Sequence, residues 1–222
     1  MSSNKMTSAL SVKYETLLAD IGNTYFHIYD GKKVEHLTHA DAIEKYKESK
    51  LLYISVKHQL SDEIASINNW KSISSLMKIE GEYETMGVDR KALCLSHDSG
   101  MFVDAGSAIT VDVMEKGTYL GGFILPGLKT YIQGYKTISP ALATTLDINL
   151  DLRELPITTK EQISYGIIAS VKALIEKHRA EKQLYITGGD GLLLTTFFEN
   201  AVYDETLVFR GMLKAIKDKK IC

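Results

Sequence analysis

One pattern of strands and turns occurs twice in this chain, and it constrains the fold more than any other feature. An apolar strand ends at residues 20–24, Asp-Ile-Gly-Asn-Thr, and a second strand ends at residues 104–108, Asp-Ala-Gly-Ser-Ala. In each copy a strand, a turn and a third strand follow, and the turn carries Gly31 or Gly117, since glycine accepts positive φ without steric cost. The repeat is too long for a solenoid, so it predicts two related domains that face each other.

The pattern predicts where these domains begin and end. Residues 1–13 are polar and are predicted to be a flexible lead-in, residues 14–99 an N-terminal domain, and residues 100–222 a C-terminal domain. Strand-like and helical segments are interspersed along both, which is typical of the α/β class. Near the end of the chain, residues 203–208 are predicted to form a short strand and residues 211–217 a last helix.

The two acidic glycine turns, with a third turn at Thr187-Gly188-Gly189-Asp190, point to nucleotide chemistry. A glycine after a strand lets backbone N–H groups approach a phosphate closely, and short hydroxyl or amide side chains add donors. An Asp at a strand end can hold a hydrated Mg²⁺, which takes one or two carboxylates and keeps several waters. Taken together, the three turns predict a nucleotide clamped between two lobes.

A candidate general base lies between the two copies of the pattern. Asp89, in Gly87-Val88-Asp89-Arg90, falls in a segment predicted to be irregular. We expect Asp89 to stay ionised at neutral pH because the neighbouring Arg90 carries the opposite charge. A carboxylate that accepts the proton of an attacking hydroxyl is a standard part of phosphoryl transfer, although an exposed Asp-Arg pair is also a common surface feature.

Composition excludes several classes of function. The net charge of −2 gives no reason to expect a nucleic-acid partner, which usually requires clustered Lys and Arg. No apolar run reaches the roughly 18–20 residues of a membrane span. Two cysteines, of which Cys94 lies in an apolar run, indicate no disulfide framework, so a cytoplasmic location is expected. No nucleophile-elbow or Walker-type loop occurs, which removes the corresponding hydrolase and P-loop classes.

The order of these motifs resembles one known family. Asp-x-Gly-Asn-Thr is followed by Gly-Val-Asp-Arg, then Asp-x-Gly-Ser-Ala-x-Thr-x-Asp, then Gly-Gly-Phe-Ile-Leu-Pro-Gly-Leu, and finally Thr-Gly-Gly-Asp. This series, over roughly residues 17–215, is similar to that of type III pantothenate kinases of the acetate/sugar kinase–Hsp70–actin superfamily. The resemblance implies two similar ribonuclease H-like domains with the active site in the cleft between them. It also implies ATP-dependent phosphorylation of pantothenate to 4'-phosphopantothenate, the first step of coenzyme A synthesis.

The resemblance also assigns roles to residues. Asp20 would face Mg²⁺, Asp104 would bind a monovalent cation (K⁺ or NH₄⁺), and Ser107 would contact ATP. Gly188 and Gly189 would lie near the nucleotide. The first loop as a whole would bind ATP through Asp20, Ile21, Gly22, Asn23, Thr24, Tyr25, Phe26 and His27.

For the substrate, the resemblance makes Asp89 the general base that deprotonates the primary hydroxyl of pantothenate. The residues that would cradle pantothenate are Tyr83, Gly87, Val88, Asp89 and Arg90. Thr159 would reach the substrate from the partner subunit of a homodimer. The segment before Thr159 and the Glu-Tyr-Glu-Thr-Met approach to Gly87 depart from the usual family pattern.

Three alternatives stay open at this point. A non-catalytic relative could act as an accessory factor in transcription, and it would need no intact base. The same scaffold could phosphorylate another small alcohol. An actin- or Hsp70-like nucleotide-driven binding protein is a third class, although 222 residues leave little room for a separate partner-binding domain.

Overall fold

Two five-stranded sheets form the framework of residues 16–219, which are the residues that the computed structural model describes. The lead-in predicted for residues 1–13 lies outside this range. In the first sheet the strands lie in the order β3-β2-β1-β4-β5. Their bounds are β1 (Leu17–Ile21), β2 (Phe26–Tyr29), β3 (Val34–Leu37), β4 (Leu51–Ser55) and β5 (Trp70–Ser72).

The second sheet repeats this topology. Its strands are β6 (Gly100–Ala105), β7 (Ala108–Glu115), β8 (Thr118–Pro126), β9 (Leu184–Thr187) and β10 (Ala201–Tyr203). Their order, β8-β7-β6-β9-β10, matches that of the first sheet strand for strand. In both sheets the first strand pairs antiparallel with the second and parallel with the fourth. The structure therefore confirms the predicted α/β class and the internal repeat.

Seven α-helices connect and cover the sheets in this part of the chain. They are α1 (His39–Tyr46), α2 (Ser61–Ala65), α3 (Val88–Leu95), α4 (Leu128–Ile138), α5 (Thr159–Arg179), α6 (Gly191–Thr195) and α7 (Leu207–Asp218). The strand predicted for residues 203–208 is wrong: the strand ends at Tyr203, and α7 has already begun at Leu207. None of the helices that the structure describes has both the length and the apolar character that a membrane crossing requires.

Side chains alternate between the two faces of each strand, and the two faces pack into an outer and an inner core. On β1, Ala19 and Ile21 face the outer core of the first half, whereas Leu18 faces an inner core that also contains Phe102 from β6. Since successive side chains point to opposite faces of a strand, Asp20 shares the direction of Leu18, and Asp104 shares that of Phe102. The same alternation that builds the cores therefore turns both acidic residues toward the inner side.

Helices α3 and α7 cross at very short range inside the inner core. A Cβ atom added to Gly211 on α7 would lie 1.7 Å from the carbonyl oxygen of Ala92 on α3, closer than any real contact. Cys94 on α3 is fully buried, as its apolar surroundings predicted. The absence of a side chain at residue 211 is thus what allows the helix that carries Asp89 to pack at this distance.

The single tryptophan lies in the outer core of the first half. Trp70 begins β5, and its indole Nε1 donates a hydrogen bond to the carbonyl oxygen of Tyr46 at 3.1 Å. Its ring packs edge-on against Phe26 at a centroid distance of 5.5 Å. Trp70 therefore serves to pack the core of the first half.

Candidate active site

The two acidic glycine loops meet across the inner face of the molecule. The Oγ1 atom of Thr24, after β1, lies 2.7 Å from the Oγ atom of Ser107, after β6. Both residues are exposed, so their hydroxyl groups are accessible to solvent. Residues far apart in the sequence are therefore in direct contact here, and each half contributes one polar group.

The first loop is held by contacts with its own half. The Gly22 N–H donates to the carbonyl oxygen of Tyr25 at 3.0 Å, which closes the turn. The Nε2 atom of His39 lies 2.9 Å from the Gly22 carbonyl oxygen, and the ammonium group of Lys57 donates to the Asn23 carbonyl oxygen at 3.0 Å. These contacts leave the side chains of Asn23, Thr24 and Tyr25 exposed at the tip of the loop.

Three other residues of the predicted ATP-binding stretch have different surroundings. The side chains of Ile21 and Phe26 are fully buried in the outer core, so only their backbone groups could contact a ligand. His27 on β2 is half-buried, and its Nδ1 lies 2.6 Å from the Nδ1 of His36 on β3. Burial, followed by repulsion from His36 and His39, lowers the pKa of His27 to about 4.

The second loop is packed against the third glycine turn. The Gly106 N–H donates to the Ala108 carbonyl oxygen at 3.0 Å, and the Asp190 N–H donates to the Ala105 carbonyl oxygen at 2.9 Å. Gly188 has a φ of 90°, and a Cβ atom there would lie 2.4 Å from the Oδ1 atom of Asp104. The turn at residues 187–190 therefore covers the carboxylate of Asp104 as closely as a glycine permits.

Three carboxylates converge behind these loops. Burial raises the pKa of Asp20 well above its ordinary value, and repulsion from Asp89 and Asp104 raises it further. Burial, then repulsion from Asp89 and Asp112, raises the pKa of Asp104 to about 7. Because these three carboxylates repel one another, the site concentrates negative charge where little solvent is available to stabilise it.

This arrangement fits hard cations that are shared with a ligand. The Oδ1 atom of Asp20 and the Oγ1 atom of Thr110 are buried side-chain oxygens without a hydrogen-bond partner, and Thr110 pairs with Asp104 across β6 and β7. Oxygen ligands are what Mg²⁺ and K⁺ prefer, and Mg²⁺ needs only one or two carboxylates. Within residues 16–219 no three His, Cys, Asp or Glu side chains are grouped tightly enough to hold a metal without further ligands.

Asp89 lies in the first turn of α3, so the prediction of an irregular segment at this position is wrong. Its Oδ1 atom accepts a hydrogen bond from the Arg90 N–H at 2.8 Å. A Cβ atom on Gly87, which precedes the helix, would lie 2.5 Å from this same Oδ1 atom. A glycine at residue 87 therefore leaves room for the carboxylate to turn back over the start of the helix.

Arg90 favours the ionised form of Asp89, as expected, but it does not decide the net shift of the Asp89 pKa. The guanidinium group of Arg90 is buried and pairs with Asp112, with Nε 3.0 Å from Oδ2 and Nη2 2.5 Å from Oδ1. The pKa of Asp89 is raised because burial outweighs the opposing effects of its hydrogen bond and of Arg90. Asp89 is therefore a better proton acceptor than an exposed aspartate.

Two tyrosines complete the surroundings of Arg90. The hydroxyl of Tyr83 accepts a hydrogen bond from Nη1 at 2.6 Å, and that of Tyr119 accepts one from Nη2 at 3.3 Å. Tyr83 is 41% exposed, and Val88 is half-buried at the start of α3. The structure thus brings Tyr83 together with residues 87–90, which include the carboxylate of Asp89.

Sequence reasoning assigned no role to Asp112, Tyr119 or Thr110, although Thr110 and Asp112 stand in the quoted motif Asp-x-Gly-Ser-Ala-x-Thr-x-Asp. A detectable signal existed for Asp112: it stands in the apolar strand Ile-Thr-Val-Asp-Val, where a carboxylate requires a buried partner. No comparable signal marked Tyr119, because the partner of a tyrosine hydroxyl depends on tertiary contacts.

Thr159 lies apart from these residues in sequence and begins α5. It is exposed, and its neighbour Thr158 caps the helix by accepting a hydrogen bond from the Glu161 N–H at 3.4 Å. Leu155 and Ile157 just before it are 80% and 92% exposed. The start of α5 therefore presents a hydroxyl and two apolar side chains on the surface of the chain.

The raised pKa of Asp104 predicts a pH-dependent stability. A carboxyl group whose pKa is higher in the folded than in the unfolded protein stabilises the fold at low pH, and this contribution is lost as pH rises toward 7. His27, with its lowered pKa, contributes in the opposite direction between about pH 4 and 6.5. We therefore expect the stability difference between Asp104→Asn and the unchanged protein to grow in favour of the variant by about 2 kcal/mol from pH 5 to pH 8.

Urea unfolding of the ligand-free proteins at several pH values measures this difference, and the comparison cancels the contribution of His27. Asp98→Asn is the matched control. Asp98 is an exposed carboxylate, and its hydrogen bond with Lys214 lowers the pKa of Asp98. Its stability difference should stay constant over this pH range. A constant difference for Asp104→Asn as well would show that Asp104 ionises normally in the fold.

Comparison with known proteins is consistent with this geometry. Residues 69–181 match the family model described as type III pantothenate kinase. A Helicobacter hepaticus protein named type III pantothenate kinase is 40% identical over 202 residues, which cover 90% of this chain and 98% of that protein.

Two solved structures show the same fold at different distances. A Campylobacter jejuni protein named as a conserved Baf family transcriptional activator is 37% identical, with a TM-score of 0.84 over 93% of this chain and 100% of that one. An activator of 2-hydroxyisocaproyl-CoA dehydratase from Clostridium difficile, solved with bound ADPNP, is 9% identical, with a TM-score of 0.54 over 93% and 97% of the two chains. The second likeness concerns the fold alone.

Proposed function

This chain belongs to the type III pantothenate kinase family, and we propose that it transfers the γ-phosphoryl group of ATP to pantothenate in the cleft between its two sheets. The observation that carries this proposal is the meeting of the two loops at Thr24 and Ser107, with the half-buried Asp89 close enough to Asp20 and Asp104 to repel them. Phosphoryl transfer requires mainly positioning and charge neutralisation, and little covalent chemistry from side chains.

The triphosphate would lie between the loops. Asn23, Thr24 and Ser107 supply exposed polar side chains, while Ile21 and Phe26 could contribute only backbone groups. The backbone of the first loop would border the triphosphate as a preformed turn. Its shape is fixed by the contacts of Gly22 with Tyr25 and His39 and by the contact of Asn23 with Lys57. Gly188 and Gly189 would border the nucleotide on the other side.

Two cations would complete the site. Asp20, with its unpartnered buried oxygen, would hold Mg²⁺, and Asp104 with Thr110 would hold a monovalent cation, K⁺ or NH₄⁺. These cations supply positive charge that balances the phosphate oxygens during transfer. Their presence would also relieve the mutual repulsion that raises the pKa values of Asp20 and Asp104.

Asp89 would act as the general base. Its carboxylate accepts the proton of the primary hydroxyl of pantothenate while that oxygen forms a bond to the γ-phosphorus. The bond between the γ-phosphorus and the β,γ-bridging oxygen breaks, ADP leaves, and Asp89 later returns its proton to solvent. The raised pKa of Asp89 suits this role, because a base works best when its pKa approaches the working pH.

Pantothenate would be cradled by Tyr83, Gly87, Val88 and Arg90, which surround the start of α3. We further propose a cytoplasmic homodimer in which Thr159 of the partner subunit contacts the substrate. The exposed Leu155 and Ile157 lie close together in sequence next to Thr159 and support such an interface, since neighbouring exposed apolar side chains are typical of protein–protein contact sites. We also propose that the cleft divides the chain into domains at residues 14–99 and 100–222.

An assay coupled to ADP release tests the proposed function. Pantothenate should support turnover with K⁺ or NH₄⁺, replacement of K⁺ by Na⁺ should lower the rate sharply, and a panel of other small alcohols should be inactive. A rate that is indifferent to the cation would remove Asp104 from its proposed role. Turnover with another alcohol but not with pantothenate would establish a different substrate on the same scaffold.

The name of the Campylobacter jejuni relative favours one second candidate, an accessory role in transcription. The net charge of −2 gives no reason to expect a nucleic-acid partner, so such a role would act through protein partners. If no alcohol supports ADP release under any cation condition, this candidate replaces the kinase proposal.

A further inference from the structure

Asp112 is a fully buried carboxylate that the transfer reaction described above does not use. It lies on β7 with no exposed surface, and it accepts two hydrogen bonds from the guanidinium group of Arg90. Taking a carboxylate out of water is costly unless it is paired and hydrogen-bonded. This paired geometry joins a strand of the second sheet to the first turn of α3, which carries Asp89.

Arg90 is held by more than this ion pair. Its Nε and Nη2 atoms bind the two oxygens of Asp112, its Nη1 atom binds the hydroxyl of Tyr83, and Nη2 also binds the hydroxyl of Tyr119. The guanidinium group is planar and rigid, so fixing two of its edges fixes the directions of all its N–H groups. Asp112 thereby sets where both tyrosine hydroxyls can lie.

The backbone nearby leaves room for this arrangement. Gly122 on β8 pairs with Asp112 across the ladder, and a Cβ atom at residue 122 would lie 2.7 Å from the Asp112 Oδ1 atom and 2.9 Å from the Tyr119 hydroxyl. The segment that carries Tyr83 is attached to the same strand, because the Tyr119 N–H donates to the Glu80 carbonyl oxygen at 2.8 Å. The carboxylate, the guanidinium group and the two hydroxyls thus form one connected unit, which we call the Arg90 clamp (Tyr83, Arg90, Asp112 and Tyr119).

We propose that Asp112 is a positioning residue for the alcohol substrate, which acts by holding Arg90, and through it the Tyr83 hydroxyl and the start of α3, in the orientation that substrate binding requires. This inference rests on the proposed function, in which Tyr83 and Arg90 cradle pantothenate. It predicts that the clamp serves the alcohol substrate and not ATP, because its contacts join α3, β7 and β8 and not the loop at residues 20–24.

The charge of Asp112 also matters for its neighbours. Without it, the full positive charge of Arg90 would act on Asp89, and the guanidinium group would be free to turn toward that carboxylate. The present arrangement balances Arg90 elsewhere, so Asp89 is left available for the substrate hydroxyl.

The test is Asp112→Asn, with KM measured separately for pantothenate and for ATP in the same coupled assay. We expect the KM for pantothenate to rise at least 10-fold, while the KM for ATP stays within about 2-fold. Loss of stability alone would lower the active fraction and hence the apparent kcat, and would leave both KM values unchanged. The matched control is Glu82→Gln. It removes the ion pair of Glu82 with Lys91, which joins the segment that carries Tyr83 to α3. Both of its KM values should stay within about 2-fold.

Tyr119→Phe keeps the test decisive if Asp112→Asn does not fold. It removes one hydroxyl that Arg90 binds and leaves no buried charge unpaired, and we expect a 3- to 10-fold rise in the KM for pantothenate at an unchanged melting temperature. An unchanged pantothenate KM in the folded Asp112→Asn protein, or in Tyr119→Phe when the former does not fold, overturns the inference. So do equal increases for both substrates. The unchanged protein is assayed alongside: if it turns over no pantothenate, the proposed function fails and the inference with it, whereas turnover with insensitive variants refutes the inference alone.

Discussion

Asp89→Asn is expected to lower kcat for pantothenate phosphorylation by about 10²- to 10⁴-fold, the range that a positioned general base contributes. The amide cannot accept the proton of the hydroxyl, yet its oxygen can still accept the hydrogen bond that the Arg90 N–H donates to Asp89. Because burial raises the pKa of Asp89, the ionised carboxylate is less favourable in the fold than in the unfolded chain. The variant should therefore be as stable as the unchanged protein or slightly more stable.

The measurement is the coupled assay, accompanied by thermal unfolding and by the binding of a non-hydrolysable ATP analogue, which should be retained. Asp98→Asn makes the same chemical change at an exposed carboxylate beyond the other end of α3 and should leave kcat unaffected. Full turnover by Asp89→Asn would show that another group accepts the proton.

Gly211→Ala is expected to destabilise the protein by about 3 kcal/mol, the upper part of the range for overpacked cores. In an open helix this change would stabilise the protein, because glycine loses more backbone freedom on folding than alanine does. Here the new Cβ atom would lie 1.7 Å from the carbonyl oxygen of Ala92, and neither backbone can move without separating α3 from α7. For a chain of this size the melting temperature should fall by roughly 6–12 °C.

Gly134→Ala is the control for this experiment. Gly134 lies inside α4, and a Cβ atom added there would meet nothing within 4 Å, so alanine should stabilise the protein by about 0.5–1 kcal/mol. Urea unfolding of the two variants should give shifts of opposite sign. A stabilised Gly211→Ala protein would mean that α3 and α7 do not pack as closely as described. The kcat of Gly211→Ala should also fall, since Asp89 is carried by the displaced helix.

Local sequence patterns were sufficient to predict the framework. Period-2 alternation and the turns at Gly31 and Gly117 are properties of short segments, and the two copies of the pattern correspond to sheets of the same strand order. The opposition of residues 20–24 and 104–108 then follows from the repeat, because related halves that bury their inner faces bring equivalent loops together. Sequence could predict these features because they depend on neighbouring residues and on symmetry.

The errors concern features that depend on tertiary contacts. Adjacency in sequence pairs Arg90 with Asp89, but the partner of the guanidinium group is Asp112 on another strand. Burial then reverses the expected effect on the pKa of Asp89, and no sequence pattern reports how much water remains beside a side chain. The strand predicted for residues 203–208 fails for a similar reason, since the apolar residues of this stretch face the inner core from a helix.

The placement of Trp70 gives the chain an internal spectroscopic probe. Its indole is buried against Phe26 in the first half, so its fluorescence emission follows the melting of that half alone, whereas circular dichroism sums the helices of both. Coincident transitions by the two signals would mean that the halves come apart as one cooperative unit. Separate transitions would identify an intermediate in which one half stays folded after the other has unfolded.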